Sequence, residues 1–172
     1  MATFGQTSPG GTAFAIGLNP VACRFQNTAG AGTADELLAY LIKNFGGTSG
    51  CVMALYDDNA GAVGALRFTT GNTDVGGTAQ DWTFASLSAV IDLLYANNEY
   101  YWIAVWPADA GTVDFYYNGG DTGQFSVATD LPTYPNFSDP WDPSADYFDV
   151  ESTFYTNFTL TAVNTTNFFQ LL

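Results

Sequence analysis

Apolar residues in this chain come in short runs that mostly alternate with small or polar ones. Over 50–57, Cys51, Met53 and Leu55 fall on one side of an extended segment, and Val52, Ala54 and Tyr56 on the other. Both sides are apolar, the pattern of a strand covered on two faces. Residues 99–106 repeat it, with Tyr100, Trp102, Ala104 and Trp106 against Tyr101, Ile103 and Val105. That segment is predicted to lie at the centre of a sheet. Val113, Phe115 and Tyr117 alternate, Asn118-Gly119-Gly120-Asp121 follows, and Phe125 and Val127 alternate again. Asn-Gly between alternating segments predicts a hairpin. Near the end, Phe154, Thr156, Phe158 and Leu160 share one face, and Thr153, Tyr155, Asn157, Thr159 and Thr161 the other. That strand is expected to have a dry face and a wet one. Shorter strands are expected at Phe14 and Ile16 and from Cys23 to Asn27.

Two segments carry another period. Leu37, Leu38, Leu41, Ile42 and Phe45 sit at helical spacing, and Thr33-Ala34-Asp35-Glu36 has the form of a capping box. Leu87, Val90, Ile91 and Leu94 are spaced likewise. The expected fold is all-β, with one short helix left open over 33–45 or 85–96.

The chain divides into three parts. Residues 1–11 are polar, bear Gly and Pro, and read as an N-terminal arm. Residues 12–162 read as a single β domain. Within it, 130–151 holds Pro132, Pro135, Pro140 and Pro143, six acids, and the aromatics Tyr134, Phe137, Trp141, Tyr147 and Phe148. Repeated prolines forbid a central strand, so this segment is expected to be a long ordered loop before the last strand. Residues 163–172 form a C-terminal tail containing Phe168, Phe169, Leu171 and Leu172.

Composition narrows the function. The 172 residues include 17 acids, 3 basic residues and no His, for a net charge of −14. A nucleic-acid binder needs Lys and Arg against phosphate, so that class is excluded. Absence of His removes Ser-His-Asp and Cys-His catalysis and imidazole-bound zinc. Two cysteines, Cys23 and Cys51, are too few for a thiolate zinc site; they pair with each other or, the favoured reading, are two buried thiols. No run approaches the ~20 apolar residues of a membrane span. The N-terminus has neither the basic region nor the apolar run of a secretion signal. Asp57 and Asp58 with Asn59 offer oxygen ligands for a structural calcium, as do Asp139, Asp142, Asp146 and Asp149. Neither group has the alternate acids and closing Glu of a calcium loop, so hydrated turns are the favoured reading and no cofactor is expected.

Several motifs taken together carry a resemblance. They are Phe4-Gly5-Gln6-Thr7 with Gly10-Gly11-Thr12, Cys23-Arg24-Phe25 ahead of Gly32-Thr33 and Leu38-Ala39-Tyr40-Leu41, and Ala54-Leu55-Tyr56-Asp57-Asp58-Asn59-Ala60-Gly61 with Gly64-Ala65-Leu66. Asp81-Trp82-Thr83-Phe84 leading to Glu99-Tyr100-Tyr101-Trp102-Ile103-Ala104-Val105 completes the order. Over about residues 4–160 the chain resembles jelly-roll β-sandwich modules of carbohydrate-binding and adhesion proteins and of phage virion proteins. The resemblance implies an antiparallel jelly-roll sandwich in which 37–42 is a strand, and it brings no catalytic residues.

The resulting expectation is not an enzyme but a structural virion protein at the virion surface. It would be a capsid decoration or cement protein that binds itself and neighbouring shell subunits, as a homo-oligomer that analogy makes trimeric. The acidic charge suits an outer surface, not one facing DNA. The candidate partner-binding residues are Phe168, Phe169, Leu171 and Leu172 on the tail, and Tyr134, Trp141 and Tyr147 on the loop. The loop aromatics either pack back on the sandwich or meet a partner, and the partner is favoured because aromatics are enriched in interface cores. Trp82, Trp102 and Trp106 are expected to be core. The alternatives are a glycan-binding or adhesion module on a tail fibre or cell surface, and a subunit of an extracellular filament.

Overall fold

The structure is a computed structural model that describes residues 2–16, 19–43, 49–75, 81–86, 94–95, 99–109, 113–119, 125–128, 133–141, 143–148, 150–152 and 154–160. In chain order the strands are β1 (Ala2–Gly5), β2 (Thr12–Ala15), β3 (Val21–Gln26), β4 (Gly32–Lys43), β5 (Gly50–Asn59), β6 (Ala62–Thr69), β7 (Thr73–Asp74) and β8 (Asp81–Ser86). They continue with β9 (Leu94–Tyr95), β10 (Tyr100–Pro107), β11 (Val113–Gly119), β12 (Phe125–Ala128), β13 (Pro143–Phe148), β14 (Val150–Ser152) and β15 (Phe154–Leu160). Among the described residues there is no helix. The strands form two antiparallel sheets that pack on each other, the all-β sandwich that the alternation predicts. Among the described residues the first sheet has eight strands (β1, β2, β4, β8, β9, β11, β14 and β15), and the second has seven. The second runs β13-β12-β3-β10-β5-β6, with β7 also paired to β5.

β10 lies between β3 and β5, at the centre, as its pattern requires. Its odd-numbered residues Tyr101, Ile103 and Val105 face the other sheet. There they join Cys23, Phe25, Met53 and Leu55 from the second sheet and Phe4, Leu37, Leu41, Phe115 and Phe154 from the first, all buried. Phe115 anchors this core, its ring stacked on Phe125 at 5.5 Å and tilted against Phe154 at 5.7 Å. The even-numbered residues Trp102, Ala104 and Trp106 face outward with Ala22, Val52, Ala54 and Tyr56, and these are buried too. The two tryptophans are thus core, as expected, but under a separate cover and not between the sheets.

The 33–45 segment is strand from Gly32 to Lys43, and the helical spacing has a local cause. Opposite β15, Asn157 pairs with Glu36 but Phe158 with Ala34, so Asp35 is an inserted bulge residue. Ala34 faces the core, and after the bulge so do Leu37, Ala39 and Leu41. Leu38 is buried on the opposite face, and Tyr40 and Ile42 there are half-buried. A strand apolar on both faces with one residue inserted imitates an i, i+3, i+4 pattern. The other helical candidate begins and ends in strand, at Ser86 and at Leu94–Tyr95, and its residues 87–93 lie outside the described residues.

Three further expectations are corrected. The predicted 113–127 hairpin does not form: β11 pairs with β2, β4 and β14 in the first sheet, and β12 with β3 and β13 in the second. Asn118 and Gly119 belong to β11 itself, so the Asn-Gly signal falls inside a strand and not in a two-residue loop. The 1–11 arm is not a loose arm. β1 pairs with β15, Phe4 is buried in the main core, and the Gln6 N–H donates to the Phe154 carbonyl at 2.9 Å. Gly10 is then pressed on β11 so closely that a Cβ there would stand 2.5 Å from the Tyr117 backbone. Of the 130–151 segment, 133–141 are loop and strand follows. β13 lies at the edge of the second sheet and begins at Pro143, and β14 pairs with β11. Prolines 132, 135, 140 and 143 all precede or open these strands, and proline is tolerated as the first residue of an edge strand.

Cys23 and Cys51 are both buried and are not joined in a disulfide. Cys23 is opposite Ile103 and Cys51 opposite Pro107, on the two flanks of β10. Two strand spacings of about 4.8 Å plus four residues of offset put their Cα atoms roughly 16 Å apart, beyond the ~7 Å limit for a disulfide. Burial, with a contribution from Asp74, pushes the Cys51 thiol up from 9.0 to about 12. Neither thiol should react with a maleimide in the native protein, and both should react in denaturant; mass spectrometry of labelled protein checks this. Because the folded state holds the Cys51 proton more tightly than the unfolded chain, stability should fall as pH rises from about 9 toward 12. The melting temperature of a Cys51→Ala variant should fall less steeply over that range.

Candidate functional site

The outward face of the second sheet is built to receive a cover. Ala22, Ala54 and Ala104 form a floor of small side chains, and Tyr56, Trp102 and Trp106 rise around it. Residues 133–141 lie across this face. Phe137 and Trp141 are buried in it, and Tyr134 is half-buried at its margin. Each ring meets another edge-on, the geometry that the aromatic quadrupole favours. Trp141 stands against Tyr56 at 5.3 Å and 81°, and Phe137 meets Trp106 at 5.6 Å and 65°. Tyr134 meets Trp106 at 5.4 Å and 82°.

Hydrogen bonds fasten the cover at several points. The Tyr56 hydroxyl donates to the Ser138 carbonyl at 2.9 Å, and the Trp141 indole N–H donates to Ser126 Oγ at 3.2 Å. The Leu66 N–H donates to Asp139 Oδ1 at 3.2 Å. The Tyr134 hydroxyl donates to Asn72 Oδ1 at 2.7 Å. Burial raises both phenols, Tyr134 to about 12 with smaller contributions from Cys51 and Asp109, and Tyr56 with one from Asp139. Both therefore stay protonated donors near neutral pH.

The residues picked out in the sequence are placed as follows. Trp141, 4% exposed, packs back on the sandwich and is not presented to a partner. Tyr134 keeps part of its ring at the surface. Tyr147 sits on β13 opposite Ser126, and its side chain lies outside the described residues, as do Phe168, Phe169, Leu171 and Leu172 altogether. The pattern did not single out Phe137 as part of a cover, yet the signal was there. Outward tryptophans at 102 and 106 require a lid, and the 130–141 segment is rich in aromatics.

Beside this face lies a charged corner. Arg24 grips Asp58 with both arms of its guanidinium, Nε to Oδ1 at 2.6 Å and Nη2 to Oδ2 at 2.8 Å. The Trp102 indole N–H donates to the same carboxylate at 2.9 Å, and the Gly61 N–H at 3.1 Å. The latter bond pins the Ala60-Gly61 turn, where both residues have positive φ. Arg24 also lies 3.9 Å over the Tyr100 ring. Burial alone would raise the Asp58 carboxyl, but its bonds to Arg24, Gly61 and Trp102 outweigh that and hold it below the usual range. Asp57 accepts a bond from Arg67 at 2.6 Å across a half-exposed pair. Asp57 and Asp58, the acids of the first candidate calcium group, are therefore both engaged by arginine. Asp139 is engaged by Leu66, while the side chains of Asp142, Asp146 and Asp149 lie outside the described residues. Among the described residues no three acidic or thiol groups converge to hold a metal ion.

Large apolar side chains are exposed at the rim: Phe14 at 48%, Tyr100 at 37% and Leu160 at 50%. No family model matches the chain, and no curated protein matches it either.

Trp141→Ala should cost about 3–5 kcal/mol, as truncation of a buried aromatic does, and should alter the near-ultraviolet circular dichroism of the remaining tryptophans. Tyr134→Phe removes one hydrogen bond and should cost only about 1 kcal/mol in urea unfolding. Asp58→Asn should lower the melting temperature at neutral pH. Since the folded-state value for Asp58 is depressed, its contribution is present above the unfolded value of 3.8 and lost as pH falls below it. The gap between wild type and variant should therefore narrow in acid.

Proposed function

We propose that this protein is a structural component of a virion: a decoration or cement protein that binds neighbouring shell subunits and itself, and performs no turnover. One observation carries the reading. The aromatics that would make a ligand platform, Trp141 and Phe137, are turned inward as a built-in cover, while the exposed apolar residues lie at strand edges and ends. Phe14 is on an edge strand, and Leu160 is the last residue of β15, after which the chain continues to Phe168, Phe169, Leu171 and Leu172. Such an object is a stiff body with small apolar contacts around its rim.

Each contact is modest, since apolar burial contributes about 25 cal/mol per Å² before association costs are subtracted. Repetition on a lattice converts modest contacts into firm attachment. The acidic surface suits the outside of a shell and disfavours contact with packaged nucleic acid. A glycan-binding module would instead need an exposed ring face, and among the loop aromatics whose side chains are described only Tyr134 offers part of one.

The test uses purified particles from the source of this sequence. Antibodies raised against the protein should label the outside of intact particles. Chains lacking 163–172 should rebind stripped particles with lower occupancy than the full chain. Unchanged occupancy would remove the tail as an anchor. Absence from particles, with retention on a glycan array that drops on Tyr134→Ala, would replace the virion reading with the adhesion one.

A further inference from the structure

Among the described residues strand β2 pairs with β11 alone and is an edge without the usual protection. Thr12, Ala13, Phe14 and Ala15 are all exposed, though three of the four are apolar. The edges of the second sheet are blunted in the ordinary ways, and β1, another uncharged edge of the first sheet, differs from β2 in having Phe4 buried. β6 breaks register twice against β5 and carries Arg67, and β13 opens on a proline. β2 has no charge and no proline, and its register against β11 is unbroken from Thr12 to Ala15.

The hydrogen-bond phase of this edge is fixed. The Ile16 N–H donates to the Val113 carbonyl at 3.1 Å. Antiparallel pairs alternate, so Phe14 and Thr12 bond to β11, and Ala13 and Ala15 turn both N–H and C=O outward. The charge pattern points to what can approach. The first acid in the chain is Asp35, and of the preceding 34 residues only Arg24 is charged. On a body of net charge −14 these residues, which supply β1 and β2, form a neutral border. A basic partner would be drawn to the acidic surface. A second copy, repelled by that surface, meets least resistance at the neutral border.

We infer that β2 pairs with β2 of a second copy, antiparallel about a twofold axis, so that two eight-stranded sheets become one. The register that pairs both outward residues of β2 within the strand puts Ala13 opposite the partner's Ala15, and Ala15 opposite the partner's Ala13. Each of these pairs makes two backbone bonds, four in all. Phe14 then falls on the axis against the partner's Phe14, in a non-hydrogen-bonded pair with Cα atoms about 4.5 Å apart, where side chains approach most closely. The exposed ring gains its cover from its own duplicate. This surface rests on the self-association proposed above and specifies it, with copies joined in pairs in place of the trimer favoured by analogy with local threefold capsid sites.

Sedimentation velocity on the full chain tests it with two variants. The wild type should dimerise, more tightly as sodium chloride rises from about 20 to 500 mM and screens the repulsion. Ala13→Pro removes an outward donor and leaves the bonds to β11 intact, since proline is tolerated where the N–H faces out of an edge. It should weaken dimerisation at least tenfold with the melting temperature unchanged. Phe14→Cys should form an interchain disulfide under mild oxidation, because about 4.5 Å between Cα atoms is within disulfide range. If Ala13→Pro does not fold, that cross-link decides alone. Unaltered association in Ala13→Pro without a Phe14→Cys cross-link, or a closed trimer, would overturn this interface and leave self-association through another surface standing. A wild type that stays monomeric at every salt concentration, without a cross-link, would overturn self-association as well, and binding to shell particles would then be judged by occupancy alone.

Discussion

The structure depends on a sheet that is apolar on both sides. β10 presents Tyr101, Ile103 and Val105 to one layer and Trp102, Ala104 and Trp106 to another, and it cannot be exposed on either. One sandwich partner buries only one face. The second must be covered by something else, and 133–141 supplies Phe137 and Trp141 for it. The protein is thereby three layers deep over its central strands, with the third layer made of loop. This explains why a proline-bearing segment can be ordered without a regular element of its own. Its order comes from rings seated among rings and from four anchoring hydrogen bonds to Tyr56, Leu66, Asn72 and Ser126.

Much of this was legible in the order of residues. The double-sided strands β5 and β10 announced themselves because alternation with two apolar phases has few other solutions. The buried thiols followed from ordinary residue preferences. What misled was local. One inserted residue at Asp35 turned a strand's two apolar faces into apparent helical spacing. The Asn118-Gly119 pair sits in β11, while 120–124 separate it from a strand in the opposite sheet, and no local signal distinguishes that crossing from a hairpin. Prolines marked the loop correctly as far as Trp141 but said nothing of Ser144–Ser152, where none remain. The destination of the loop aromatics was open because facing inward or outward is decided by the surface beneath them, which only the assembled sheet reveals.

Charge in this protein is mostly one-sided, and the few cations are placed where they matter. Arg24 holds the β5–β6 turn and the Trp102 indole through one carboxylate, while the Tyr100 ring lies beneath it. Arg67 joins β6 to Asp57 at the same corner. The net charge of −14 leaves the molecule strongly acidic, which favours repulsion between copies and from polyanions. The shell role proposed above would use repulsion over most of the surface and adhesion at a few rims.

The alanine floor beneath the aromatic cover carries a less obvious consequence. Residues with the smallest side chains are commonly taken to be the most forgiving of change. Ala22, Ala54 and Ala104 are the reverse, because each sits at 0% exposure in the layer on which the rings rest. A valine at any of them would jack the lid upward without touching a single aromatic. Tolerance in this molecule is therefore set by headroom and not by bulk, and mutational drift should be slowest where the chain looks plainest.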